Sequence, residues 1–454
     1  MSFFLTKVLA ALDDGGDRVL FHSGGGVTTY HQARDRLHRL HGGLGEVETL
    51  AVDLRNRPET VLVQLAALLR GATVLMVPAS APARDRLAAA SGATVVTDRP
   101  HEWPAGDVRT LDDLDGEPGP LHPPETVRLL FPTGGTTGTP KLIRHSGIYD
   151  GMASIFTPSP DGPGRTLLVA PMTHMTGNAT VLGALLRLDT VVVHDGFDAG
   201  AVLEAIQAHR IDTLSLTPPR LAALLDHPAR EGTDLSSVRS LSLGAAPLPP
   251  HRLAQALDVF GPVVGQGYGL TEAPMIASIS AAELVARPEL RSSVGRIVPG
   301  MEARITDGEV EVRGLSMMDG YLGGPEVGAG WLRTGDLGRF DDEGYLYLLD
   351  RADDVVVVGE HGTKVATTVV EHALATHPAV RSAAVFGVPG EDGQLLHAVL
   401  VTREPLTADE VREHARKAFG QEHYVPAGVD FVAELPLTSV GKVDKRALRA
   451  AVSS

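Results

Sequence analysis

Short runs of β-branched and apolar residues alternate with amphipathic stretches over the first part of the chain. The runs predict strands, and the stretches between them predict helices. Strands that are separated by helices indicate an α/β fold with a largely parallel sheet. The predicted strands are 49–53, 73–77, 94–97, 165–170, 190–194, 213–216 and 238–243, and the predicted helices are 58–70, 81–91, 199–209 and 218–225.

The pattern changes near Gly295 to short strands with tight turns, predicted at 303–305, 309–313 and 344–349. These strands indicate a small β subdomain that closes the large one. A charged segment, 349–354, then interrupts the pattern, and a second α/β segment runs to Ser454. We therefore expect a large N-terminal domain of residues 1–350 and a small α/β C-terminal domain of residues 351–454.

The composition is that of a globular enzyme. Of 454 residues, 43% are hydrophobic, and no apolar run approaches the roughly 20 residues that span a membrane. The N-terminus lacks a basic segment leading to a cleavage site, so we expect a cytoplasmic protein with no membrane partner. The absence of cysteine excludes disulfides, thiolate metal ligands and a cysteine nucleophile. A formal charge of −16 disfavours nucleic acid as a partner.

A loop of Thr, Gly and Pro follows the apolar run at 129–131 and ends at a lysine. Its glycines let successive backbone N–H groups turn toward an anion, its threonines add hydroxyl donors and its lysine adds charge, so the loop suits a polyphosphate. It is not a Walker A motif, because Pro140 stands where the second glycine should be. An ordinary surface loop would have the same composition. The candidate phosphate-binding residues are Thr133, Gly134, Gly135, Thr136, Thr137, Gly138 and Lys141.

Five segments in the same order resemble motifs of the adenylate-forming superfamily, which includes acyl- and aryl-CoA synthetases, nonribosomal peptide adenylation domains and luciferases. They are 133–141, 266–272, 331–337, 351–354 and 436–445. Each match alone is weak, but five in order are not a coincidence. Gly134 replaces the usual serine, as in the branch that activates aryl acids. The resemblance implies a small C-terminal domain that moves, and a reaction in two halves. ATP and Mg²⁺ activate a carboxylic acid as an acyl adenylate with release of pyrophosphate, and a thiol of CoA or of an acyl or aryl carrier protein then takes the acyl group.

The resemblance also implies a role for each matched residue. Lys442 would steady the charge that builds up at the α-phosphate, with Thr271 beside that phosphate and Glu272 as the Mg²⁺ ligand. Tyr268 would offer a flat face to adenine and Asp336 would accept hydrogen bonds from the ribose hydroxyls. The other candidates near the nucleotide are Gly244, Ala245, Gln266, Gly267 and Arg351, and the expected hinge is Asp353.

The kind of acid follows from the stretch 170–178. Members that activate amino acids carry an aspartate here that pairs with the substrate ammonium, whereas this stretch has no carboxylate. An aryl or short acyl acid is therefore expected, and an α-amino acid is disfavoured. A structural role for the histidine in this stretch stays open. The candidate pocket residues are His174, Met175, Asn178, Ala246 and Gly269.

Departures from the family pattern surround the hinge. Asp350 stands where glycine is usual, the approach to the next motif is two residues longer, and Thr367 and Val369 replace a usual proline and glutamate. In the family this hairpin lines the tunnel of the phosphopantetheine thiol. A non-thiol acceptor such as an amine therefore stays an alternative, as does a nucleotide-binding homologue without catalysis. The joint presence of Lys141, Glu272, Asp336, Arg351 and Lys442 speaks against the latter.

Overall fold

The computed structural model describes residues 1–78, 81–132, 141–359, 363–390, 393–438 and 441–452. Its helices are α1 Phe3–Gly15, α2 Tyr30–Leu44, α3 Pro58–Leu69, α4 Ala83–Ala89, α5 Ile148–Ile155, α6 Met175–Leu186, α7 Ala199–His209, α8 Pro218–Leu225, α9 Pro250–Phe260, α10 Ala281–Ala286, α11 Thr367–Leu374, α12 Ala408–Phe419 and α13 Lys445–Val452. None of these helices is long and apolar enough to cross a lipid bilayer.

The strands before the charged segment are β1 Val19–Ser23, β2 Gly26–Thr29, β3 Thr49–Asp53, β4 Thr73–Met76, β5 Thr94–Thr97, β6 Val108–Arg109, β7 Arg128–Pro132, β8 Leu142–His145, β9 Arg165–Leu168, β10 Thr190–Val193, β11 Thr213–Leu216, β12 Ser240–Leu243, β13 Val264–Leu270, β14 Ala273–Ile279, β15 Arg296–Ile297, β16 Met301–Thr306, β17 Glu309–Gly314, β18 Gly320–Tyr321, β19 Leu332–Phe340 and β20 Leu346–Arg351. The later strands are β21 Val356–Val358, β22 Thr363–Val365, β23 Val380–Gly390, β24 Gly393–Thr402 and β25 Gly428–Phe431.

Two large sheets form the first part of the molecule. One has seven strands in the order β18-β8-β7-β4-β3-β5-β6, and the other has nine in the order β15-β14-β13-β12-β11-β9-β10-β1-β2. Their central strands pair in parallel, with antiparallel pairs toward the edges. The predicted α/β class is confirmed.

Helices α3 and α6 join the two sheets. Most residues of both helices are buried, and they pack in one hydrophobic cluster with strands of both sheets. A helix that is apolar on nearly every side requires such a position, because no face of it suits water. The two sheets are therefore joined through one shared hydrophobic core.

Two smaller sheets follow. Strands β16, β17, β19 and β20 form an antiparallel sheet, which confirms the predicted β subdomain. The fourth sheet has the order β22-β21-β24-β23 with β25 beside β24, and α11 to α13 accompany it. We call this last part the small domain. The boundary between residues 350 and 351 stays a prediction.

Candidate active site

The phosphate-binding candidates Thr133, Gly134, Gly135, Thr136, Thr137 and Gly138 lie outside the described residues. The strands that flank them are described: β7 and β8 are antiparallel neighbours, with Pro132 opposite Leu142. Lys141 immediately precedes β8, and its Nζ is 5.1 Å from the ring centroid of Tyr321. This distance permits a cation–π interaction, which orients the lysine against the tyrosine ring.

Tyr268, Asp336 and Arg351 meet at one point. Asp336 and Arg351 face each other on β19 and β20. The Tyr268 hydroxyl donates to Asp336 Oδ2 at 2.6 Å, and Arg351 Nη1 donates to Oδ1 at 3.0 Å. Burial, together with the adjacent carboxylate, raises the pKa of Tyr268, so this phenol stays protonated and keeps donating. Each carboxylate oxygen retains a second lone pair, so Asp336 is oriented by protein and can still accept from a diol.

Glu272 lies next to this group and is fixed by a residue from a distant strand. The Tyr321 hydroxyl donates to Glu272 Oε1 at 3.0 Å, while no described residue donates a hydrogen bond to Oε2. The same tyrosine ring lies under Lys141. Tyr321 therefore links the lysine that follows the phosphate loop to the candidate Mg²⁺ ligand, a contact that no sequence motif indicated.

Thr271 is held in place through its backbone carbonyl group. His145 Nε2 donates to the Thr271 carbonyl oxygen at 2.7 Å. Burial lowers the pKa of His145 and keeps the ring neutral. His145, also absent from the candidates, fixes the turn between β13 and β14 on which Thr271 and Glu272 lie.

The small residues predicted near the nucleotide lie where backbones approach closely. A Cβ added at Gly244 would be 2.9 Å from the Gly267 carbonyl oxygen, and one at Gly269 would be 2.3 Å from that of Pro274. Gly269 therefore serves the pairing of β13 with β14. Ala245 has φ of 70°, a left-handed conformation that costs an L-residue about 1 kcal/mol, and it is exposed, whereas Ala246 is half-buried. Gln266 Oε1 is buried without a hydrogen-bond donor among the described residues, so it is an acceptor available to a ligand.

Two of the pocket candidates are core residues. Asn178 is fully buried; its amide donates to Gln64 Oε1 at 2.6 Å and to the Met172 carbonyl at 3.2 Å. Its carbonyl accepts from Tyr149 at 3.2 Å and from Gln64 at 3.3 Å. All four positions of the amide are used, so the prediction that Asn178 faces the substrate is wrong. Met175 packs in the large hydrophobic cluster between the sheets.

His174 precedes α6 and is close to two cations. Its pKa is lowered to about 4, mainly by burial and further by the charges of Lys442 and Arg220. A neutral imidazole can donate or accept a hydrogen bond, and because it carries no charge it does not repel the two neighbouring cations. Of the pocket candidates, His174 has the surroundings that suit contact with an acid.

Lys442 reaches the same place from the small domain. The Thr217 hydroxyl donates to the Gly441 carbonyl oxygen at 3.0 Å, which docks the lysine loop on the end of β11. Lys442 as a whole is exposed, although its ammonium lies close enough to the large domain to lose part of its hydration. This desolvation lowers the pKa of Lys442, opposed by the carboxylates of Asp336 and Glu272.

The hinge candidate Asp353 is exposed in a single turn, Ala352–Asp354, between β20 and β21. Its neighbour Asp354 accepts from Arg449 Nη2 of α13 at 2.7 Å. Because Asp353 itself is exposed, its own side chain offers little resistance to a change of its backbone torsion angles.

The candidate Mg²⁺ site has a single carboxylate. Among the described residues no group of three or more His, Asp or Glu side chains could hold a metal ion. Mg²⁺ is commonly held by one or two carboxylates together with substrate phosphates and water. Glu272 Oε2 fits that role.

The two-domain α/β architecture and the convergence of a lysine, two carboxylates and an arginine from distant motifs define a nucleotide-dependent ligase scaffold. The AMP-binding enzyme family model matches residues 10–322, and the AMP-binding enzyme C-terminal domain model matches residues 369–442. The chain therefore belongs to the AMP-binding enzyme family. This confirms the resemblance to the adenylate-forming superfamily and makes the chain an enzyme of the acid–AMP ligase class.

Three similar proteins illustrate the range of the family. The medium/long-chain-fatty-acid–CoA ligase FadD8 of Mycobacterium tuberculosis is 36% identical over 72% of this chain, which spans 62% of that protein's length. Feruloyl-CoA synthase of an Amycolatopsis species is 31% identical over 94% of both chains. The structure of the amide bond synthetase McbA from Marinactinospora thermotolerans matches with a TM-score of 0.85 at 30% identity over 99% of both chains.

Proposed function

We propose that this enzyme uses ATP and Mg²⁺ to activate a small aryl or short acyl carboxylic acid and transfers the acyl group to the thiol of CoA. In the first half-reaction a carboxylate oxygen bonds to the α-phosphorus while the bond to the bridging oxygen of pyrophosphate breaks. In the second, the thiol sulfur bonds to the acyl carbon, the thiol proton is lost and AMP leaves.

The observation that carries the proposal is the position of Lys442. Its ammonium lies within electrostatic reach of Asp336, Glu272 and His174, which come from three separate segments of the large domain. A cation there opposes the negative charge that accumulates on the carboxylate and the α-phosphate as they react. When bound, Mg²⁺ would neutralise charge on the phosphates, with Glu272 as its protein ligand.

The surroundings of His174 support an acid without an ammonium group. Lys442 and Arg220 both place positive charge near this side chain. A substrate ammonium here would meet two like charges and no carboxylate partner among the described residues of the stretch 170–178. Aryl and short acyl acids avoid this cost, whereas α-amino acids do not.

The acceptor has two candidates. Sequence similarity to feruloyl-CoA synthase over nearly the whole chain favours the thiol of CoA; a carrier protein would present the same thiol. The similarity to McbA over 99% of both chains favours an amine as the second candidate, and the altered hairpin after the hinge points the same way. In that reaction the amine nitrogen bonds to the acyl carbon, loses a proton and displaces AMP.

Pyrophosphate exchange across a panel of aryl and short acyl acids tests the first half-reaction. We expect exchange with at least one such acid and none with α-amino acids. ATP binding without exchange for any acid would refute the proposal and leave a nucleotide-binding protein without catalysis. Mass spectrometry of the products formed with CoA, with a pantetheinylated carrier protein and with simple amines then assigns the acceptor.

A further inference from the structure

Asp350, the last buried residue of β20, makes an unusual set of contacts. Its side chain is buried and accepts from the Thr367 hydroxyl at 2.9 Å, from the Thr368 hydroxyl at 3.1 Å and from the Thr368 backbone N–H at 3.2 Å. The N–H of Arg351 adds a fourth bond at 2.9 Å. Three of these four donors belong to α11 of the small domain, so the contacts cross the hinge.

These contacts replace the helix cap that α11 lacks. The residue at its N-cap position is Ala366, whose side chain cannot accept a hydrogen bond from the helix backbone. A carboxylate at a helix N-terminus satisfies exposed N–H groups and interacts favourably with the helix dipole. Asp350 supplies that carboxylate from the other side of the hinge. The cap of α11 therefore exists only while the small domain keeps its present orientation.

The contact extends to the loop that carries Lys442. Lys445 Nζ donates to the Thr367 hydroxyl at 2.8 Å and pairs with Glu371 at 2.8 Å. Lys445 begins α13, immediately after the turn in which the Thr438 N–H bonds to the Lys442 carbonyl at 2.7 Å. Hydrogen bonds therefore connect Asp350 through Thr367 to Lys445, which follows Lys442 by three residues along the backbone.

A second group of contacts between the domains is more exposed to solvent. Arg381 and Arg403 of the small domain approach Asp226 at 3.3 and 3.4 Å; the arginine side chains are 39% and 38% exposed, whereas Asp226 is 14% exposed. Exposed ion pairs contribute little because water and salt screen them. The bonds of Asp350 to α11, like the bond from Thr217 to Gly441, are buried contacts between the domains that water does not screen.

We propose that Asp350 is a positioning residue: by capping α11 across the hinge, it holds the small domain in the orientation that presents Lys442 for adenylate formation. This rests on the two half-reactions proposed above. Turning about Asp353 would break the three bonds to Thr367 and Thr368, so the enzyme favours the first half-reaction over any step that needs another orientation. An acceptor that reacts in the same domain orientation would not need these bonds to break.

The test uses Asp350→Gly, which restores the residue usual in the family, and Asp350→Asn, which keeps the shape and removes the charge. Pyrophosphate release measures adenylate formation, and product formation from a supplied acyl adenylate measures transfer. Loss of charge-assisted hydrogen bonds should lower adenylate formation by about tenfold. Transfer from the supplied adenylate should be unchanged or faster, so the ratio of the two rates shifts by about tenfold or more.

Thr407→Val is the matched control. Thr407 caps α12 by accepting from the Glu410 N–H and lies wholly within the small domain. It should lower thermal stability as Asp350→Asn does while leaving the ratio of the half-reactions unchanged. Equal losses of both rates in the Asp350 variants, or the same ratio change in Thr407→Val, would overturn the proposal.

A distance measurement separates this proposal from the proposed function. The chain has no cysteine, so Ala10→Cys on α1 and Ala418→Cys on α12, both exposed, accept spin labels without background. The parent should show one dominant distance and Asp350→Gly a broader or bimodal distribution. An unchanged distribution would refute the role of Asp350 even if the enzyme is active, and a changed one would support it even if no acid is activated.

Discussion

Gly441 offers a direct test of how the lysine loop docks on the large domain. It has φ of 77°, and a Cβ added there would lie 2.8 Å from Arg220 Nε and 2.9 Å from Thr217 Oγ1. Both neighbours are buried, with exposed fractions of 7% and 9%, so neither has much room to move. In Gly441→Ala, the added methyl group would therefore clash with the large domain while the loop is docked.

The size of the effect follows from these distances. Overpacking a tight site costs about 2 kcal/mol, which corresponds to roughly a thirtyfold loss of the docked arrangement. The positive φ adds about 1 kcal/mol of strain whether the loop is docked or not. Gly420→Ala controls for that strain, because Gly420 has φ of 65° and its Cβ would meet nothing within 4 Å.

The assay is pyrophosphate release in a single turnover with ATP and the acid. We expect Gly441→Ala to lower this rate about thirtyfold relative to Gly420→Ala, since only the former blocks docking. Transfer from a supplied acyl adenylate should be similar in both variants. If Gly441→Ala and Gly420→Ala form adenylate at the same rate, the contact of Gly441 with Thr217 plays no part in the first half-reaction.

Three further predictions concern the site and its supports. Tyr268→Phe removes a hydrogen bond to Asp336 and should raise the KM for ATP about tenfold, measured by steady-state kinetics; an unchanged KM would contradict the orienting role. Because the pKa of Lys442 is lowered, adenylate formation should fall as pH rises through a value below that of an ordinary lysine, and Lys442→Arg should move this limb of the pH–rate profile upward. Asn178→Ala leaves buried hydrogen-bond partners unsatisfied and should destabilise the fold by about 3 kcal/mol in denaturant titration, with the preference among acids unchanged. His174→Ala should instead change the preference among acids. The reverse pattern would disprove both assignments.

For some helices and strands, the sequence predicted both ends at the residues where the structure has them. The strands 94–97 and 213–216 and the helices 199–209 and 218–225 match the structure. The β-branched run at 94–97, the capping residue Asp198 before the first helix and the prolines that begin the second are local signals. The strand predicted at 344–349 is instead Leu346–Arg351. Gly344 belongs to a tight turn, with φ of 82° and its N–H bonded to Asp341, and pairing of Arg351 with Asp336 extends the strand at its other end.

The site was predictable only where a motif carries it. Tyr268, Glu272, Asp336, Arg351 and Lys442 stand in recognisable strings, and these come together in the fold. Tyr321, His145 and Thr217 act through contacts with residues 49, 126 and 224 positions away, and no local pattern marks them. The mistaken placement of Asn178 has the same origin: a polar residue in a motif resembles a ligand until its buried partners are known.

The central claim is that Lys442 from the small domain acts in adenylate formation and not in acyl transfer. Its most direct test is Lys442→Ala, with both half-reactions measured separately on the same preparation. We predict that pyrophosphate release from ATP and the acid is lost, while transfer from a supplied acyl adenylate continues at close to the parent rate. Equal loss of both half-reactions, or retention of pyrophosphate release, would contradict the account.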